Sequence, residues 1–115
     1  MAENPRLICA AAQVQEGGPG VRFELQRGGQ VLPAFVVRWR GELRAYLNRC
    51  AHVPVELDCQ PGDFFDASQL YLVCATHGAL YDPATGACLG GRCQGRGLTA
   101  VTVGERDGGI YIEEN

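Results

Sequence analysis

Two short motifs constrain this chain more than any other feature of it. Cys50-Ala51-His52 and Cys74-Ala75-Thr76-His77 each place one thiol near one imidazole, one residue apart in the first and two in the second. The 115-residue chain has only two histidines, and both sit here. Thiolate and neutral imidazole are good transition-metal donors, so the pattern reads as four ligands in two pairs. Two adjacent hairpin loops, each offering one pair at its tip, would bring such a set into tetrahedral geometry. Gly78 directly after His77 permits close backbone approach to whatever is held there.

The rest of the chain reads as strands that could carry such loops. Sixteen Gly and six Pro in 115 residues point to frequent turns and short strands. Arg6–Ala10 is expected as a first strand, with Cys9 a small buried residue. Val21–Leu25 alternates apolar and polar residues, as a half-buried strand does. Val31–Arg40 is rich in β-branched and aromatic residues, and Trp39 on it is expected to pack. Gly41-Glu42 should turn the chain in type II′ form, returning Leu43–Asn48 as the partner strand that delivers Cys50. Cys59–Gln69 is irregular; Leu70–Val73 is an apolar run ending at Cys74. Ala79–Tyr81 leaves the second motif, Asp82–Gly86 turns, and Ala87–Leu89 follows before a glycine-rich loop over 90–97. Leu98–Val103 and Gly109–Glu113 should form a last hairpin. No helical period lasts three turns, and there is no repeat or linker. The expectation is one all-β domain over residues 1–115, built of small antiparallel sheets.

Ten arginines, no lysine and thirteen acidic residues give a net charge of −3, with no clustered basic footprint for nucleic acid. A mildly acidic surface suits brief docking on a basic patch of a partner. Residues 1–8 lack a cationic leader and a twin arginine, and no window reaches the eighteen or so apolar residues of a membrane span. A cytoplasmic location follows as an expectation, and there six cysteines argue for metal ligation more than for a disulfide framework. Cys59, Cys88 and Cys93 are then expected as free thiols or small packers, although Cys88 and Cys93 could pair across their glycine turn. Glu56 and Asp58 read as surface residues. Structural zinc is a rival for the four donors, set back by the one-residue gap in the first pair. A Cys-His nucleophile is weaker, because no third group is indicated to orient a base.

The two motifs, with the aromatic Tyr81 four residues after His77, resemble the Rieske iron-sulfur family across most of the chain. The resemblance implies a 2Fe-2S cluster with Cys50 and Cys74 on one iron and His52 and His77 on the other, the imidazole-bound iron nearer solvent. Around it the resemblance gives roles to Gly78, Ala79 and Tyr81. High-potential members carry a serine donor to a bridging sulfide two residues after the second histidine, and here Ala79 stands in that place. The potential should therefore lie toward the low end of a range of roughly −150 to +300 mV. Respiratory members carry an extra cysteine in each loop, and the comparable positions here, Val55 and Ala75-Thr76, have none. Both departures favour resemblance to ferredoxins of bacterial oxygenase systems. Such a protein is a one-electron carrier between a flavoprotein reductase and a terminal oxygenase or similar acceptor. It has no catalytic residues and no substrate site of its own, since no histidine remains for a mononuclear iron site. A small Rieske subunit of a larger reductase, such as nitrite reductase, and a zinc-stabilised interaction module stay open. Two other departures are Arg92, where the third loop often has proline, and the twenty-one residues (53–73) between His52 and Cys74. Arg92 and Arg96 could form a docking patch beside the cluster.

Overall fold

The computed structural model describes residues 6–50, 55–58, 62–75, 78–91 and 96–112. Among the described residues nine strands follow in order: β1 (Arg6–Ala10), β2 (Val21–Arg27), β3 (Gln30–Trp39), β4 (Glu42–Leu47), β5 (Leu72–Val73), β6 (Leu80–Tyr81), β7 (Cys88–Gly90), β8 (Val103–Arg106) and β9 (Gly109–Ile112). Among the described residues the one helical element is a single 3-10 turn, Ala11–Gln13. The strands form three antiparallel sheets of three, ordered β1-β9-β8, β2-β3-β4 and β5-β6-β7. The all-β expectation of small antiparallel sheets holds.

The middle sheet is a partition, and its central strand shows how. Ala34, Phe35, Val36 and Val37 are all buried, because β3 is covered on both faces. Successive side chains alternate between those faces. Phe35 and Val37 enter one core with Tyr46, Cys50, Leu57, Phe64, Leu72, Cys74, Ala79, Tyr81 and Leu98. Ala34 and Val36 enter the other with Val14, Leu25, Ala45, Val101, Ile110 and Ile112. The first core lies under the two Cys motifs, whereas the second joins the partition to the β1-β9-β8 sheet. Cys9 packs half-buried beside this second core, and burial raises its thiol pKa.

Two expectations about the strands need correction. The β3–β4 turn is Arg40-Gly41, not Gly41-Glu42, because Trp39 pairs with Glu42. Both turn residues have positive φ, 52° and 79°, as a type I′ hairpin requires. A left-handed arginine costs about 1–2 kcal/mol. Glu16 offsets this from the preceding loop: its carboxylate accepts the Arg40 and Gly41 amides at 2.5 and 2.7 Å. The Arg40 guanidinium also stacks 4.5 Å from the Trp39 ring centroid, so Trp39 packs at the surface. The second correction concerns Leu98–Val103, which is not one arm of the last hairpin. Leu98 faces the first core and Val101 the second, so this segment crosses between layers. The Leu47 amide donates to Thr99 O at 2.8 Å and the Val101 amide to Ala45 O at 2.9 Å. These bonds tie the segment to β4, and β8 begins only at Val103.

Candidate metal centre

Each Cys motif grows out of a strand end whose backbone bonds close a loop. β4 delivers Cys50, and the Cys50 amide donates to Val55 O at 2.8 Å. β5 delivers Cys74, whose amide donates to Ala79 O at 2.9 Å, while the Gly78 amide donates back to Cys74 O at 2.8 Å. That reciprocal pair makes the second loop tight. Gly78 sits at its end with φ 74°, in the left-handed region where glycine is at no disadvantage. The Ala75 amide donates to Leu57 O at 3.0 Å, so the two loops are joined at their bases.

The two cysteines this brings together are buried in the same core. Cys50 is 3% exposed and Cys74 0%. The Tyr81 hydroxyl lies 3.3 Å from Cys50 Sγ; the β5–β6 register sets its place, since Tyr81 pairs with Leu72 two residues before Cys74. Ala79 is fully buried between the loop and the segment after β7. There the Gly91 backbone presses on it: a Cβ at Gly91 would meet Ala79 Cα at 3.0 Å. Cys50, Cys74, Ala79 and Tyr81 thus share one core, with Gly78 exposed next to Ala79. His52 and His77 lie outside the described residues, as do Arg92 and Cys93. Among the described residues no group of three or more His, Cys, Asp or Glu could hold a metal. The fit to a cluster therefore rests on the two thiols. Two buried cysteines from separate strand ends, one already beside a phenolic hydroxyl, suit iron ligation.

Two residues behave differently from expectation. Asp58 is not at the surface: its side chain is fully buried, whereas that of Glu56 is 43% exposed. The sequence carried no signal for this, because the partner that draws Asp58 inward, Asn48, lies ten residues back. Cys88 is not a free thiol but disulfide-bonded. Cys59 and Cys93 lie outside the described residues. An open cleft of about 610 Å³ is lined, among the described residues, by Gly17–Pro19 and part of 62–69, and by neither Cys50 nor Cys74.

Comparison with known proteins gives the same reading. A sequence model of the Rieske [2Fe-2S] domain matches residues 4–104. Among curated proteins none matches the chain. Similar solved structures include the ferredoxin of carbazole 1,9a-dioxygenase from Nocardioides aromaticivorans IC177, at 24% identity and TM-score 0.74, covering 97% of this chain and 99% of that one. A Sphingomonas yanoikuyae B1 ferredoxin is similar at 25% identity and TM-score 0.76, covering 97% and 100%. A complex of reduced oxygenase and oxidized ferredoxin in carbazole 1,9a-dioxygenase matches at 24% identity and TM-score 0.70, covering 95% and 92%.

Proposed function

The chain belongs to the Rieske [2Fe-2S] domain family, and from that premise we propose that it is a ferredoxin. It takes one electron from a flavoprotein reductase and passes it to a terminal oxygenase or similar acceptor. Its cofactor is one Rieske-type 2Fe-2S cluster, which when bound supplies a one-electron couple at a potential raised by neutral imidazole ligands. Cys50 and Cys74 would hold one iron, and His52 and His77 the other. The observation that carries this reading is the pair of cysteines buried in one core, contributed by two segments that are tied together through Ala75 and Leu57.

The chain's own residues have separable tasks here. With Cys50 bound to iron as a thiolate, the Tyr81 hydroxyl 3.3 Å away would donate its hydrogen to the sulfur and withdraw charge from it. Ala79 supplies a methyl group where a hydroxyl would add a donor. Gly78 lets the backbone turn closely around the second pair. The exposed side chains of Val55, in the first loop, and Leu89, on β7, give this end apolar surface, which suits brief contact with a partner. A complex of oxygenase with ferredoxin among the similar structures supports that direction of transfer. We take residues 1–115 as one domain and place it in the cytoplasm. No helix among the described residues is long and apolar enough to cross a membrane.

The test is transfer itself. Protein reduced through a flavoprotein reductase with NADH, then mixed anaerobically with an oxidised ring-hydroxylating oxygenase component, should be reoxidised as the oxygenase is reduced, followed by absorbance. A cluster-loaded protein that neither accepts nor donates an electron in any such pairing would count against the carrier role.

A further inference from the structure

A fully buried carboxylate is costly unless charge and hydrogen bonds meet it. Asp58, whose side chain has no exposed surface, has both kinds of partner, and they come from three separate parts of the chain. Asn48 Nδ2 donates to Asp58 Oδ1 at 2.9 Å, from the turn two residues before Cys50. The Gly62 amide donates to Oδ2 at 3.0 Å, from the long segment between the motifs. Arg22 Nε stands 3.5 Å from the same oxygen, on β2, with its NH2 group on the exposed Glu56 at 2.6 Å.

The bonds continue toward both metal loops. Asn48 Oδ1 accepts the Leu57 amide at 2.8 Å, and Leu57 O accepts the amide of Ala75, the residue after Cys74. The Asn48 amide is itself held by Pro33 O at 2.8 Å. On the far side, Gly62 O accepts the Gly20 amide at 2.8 Å. Gly20 has room for this because it carries no Cβ, which would fall 2.6 Å from the Phe64 ring. Without Asp58, the Asn48 amide group and the Gly62 amide would be buried donors with no acceptor.

We propose that Asp58 is a positioning residue for the metal centre, clamping the bases of both Cys loops through Asn48 and Leu57, with its charge masked at the rim by Arg22. The proposal rests on the ligand assignment given above. It assigns a purpose to the extra length between the motifs, which brings Gly62 back onto the carboxylate. It also carries an electrostatic consequence. A fixed negative charge in a low-dielectric interior opposes the arrival of an electron nearby, and Arg22 partly cancels that opposition.

The two residues should therefore move the centre in opposite directions. In holoprotein, Asp58→Asn removes the charge and one acceptor, so the reduction potential rises and iron is lost to a chelator several-fold faster. Amide exchange at Leu57, Gly62 and Ala75 quickens, while Ile110 and Ile112 in the other core keep their protection. Arg22→Gln leaves the Asp58 hydrogen bonds in place but unmasks its charge, so the potential falls with little change in iron release. Should Asp58→Asn fail to hold a cluster, Arg22→Gln alone decides, a lowered potential supporting the proposal. Shifts of the same sign in both variants, or an Arg22→Gln potential equal to wild type or above it, would overturn it. Wild-type protein lacking iron would instead defeat the ligand assignment, a result distinct from wild-type-like variants that keep their cluster.

Discussion

The two cores on either side of the β2-β3-β4 partition are built on different principles. The core toward β1-β9-β8 joins strands of four to ten residues, filled by Val, Leu, Ile and Ala. The core beneath the Cys motifs rests on β5, β6 and β7, of two or three residues each. Aromatic rings, two thiols and one buried carboxylate network occupy it. Apolar burial at about 25 cal/mol per Å² accounts for the first without direction. The second needs directed bonds, because a metal site tolerates little displacement of its donors. Stability and geometry are thus assigned to opposite faces of one sheet, and a mutation should reveal which face it touches.

Phe35→Ala should have the largest effect. Its ring stacks on Phe64 at 3.9 Å between centroids, 12° from parallel, and so anchors the long inter-motif segment to the partition. Loss of about 3–5 kcal/mol is expected for such a truncation, read by denaturant unfolding, with faster iron loss alongside it. Ile112→Ala on the other face is the control. It should cost about 2–5 kcal/mol yet leave the reduction potential where it was. A potential shift as large as that of a site-side variant would dissolve the distinction between the two cores.

Alkaline pH probes the join between the site-side core and its rim. Tyr46 is buried, donates to Pro83 O at 2.6 Å, and has its pKa pushed up to about 12, chiefly by burial. Because the folded value lies above the unfolded value of about 10, its contribution is complete below pH 10 and is lost as pH rises toward 12. The unfolding midpoint should fall across that window, and Tyr46→Phe should flatten the fall.

The remaining variants sharpen the site itself. Tyr81→Phe keeps the ring and removes the donor to Cys50 Sγ. It should lower the potential and cost roughly 0.5–1.5 kcal/mol, measured by redox titration and unfolding. Ala79→Ser should have the smallest effect, a rise in potential from one added donor, because Gly91 leaves little room for a larger change there. No rise would mean that the hydroxyl does not reach the cluster.

Much of the carbon-rich side was legible from pattern alone. Arg22 and Glu24 are exposed around buried Leu25 as the alternation of β2 requires, and both motifs sit where a strand was expected to end. What escaped the sequence depends on partners far along the chain. The β3–β4 turn is displaced by one residue because Glu16, 24 residues away, receives its amides. Asp58 resembles a surface acid until Asn48, Gly62 and Arg22 are found around it. Leu98–Val103 has strand composition, but its side chains serve two cores and so cannot stay in one ladder. Local propensity is blind to such arrangements, since each is decided by tertiary packing.

The central claim concerns which atoms hold the iron, and the chain's two histidines allow a direct measurement of it. Protein labelled with 15N only at histidine, reduced with dithionite and studied by pulsed EPR, should show hyperfine coupling from two imidazole nitrogens to a cluster of two irons per chain. A signal without histidine coupling, or a colourless protein in which metal analysis finds zinc, would contradict it.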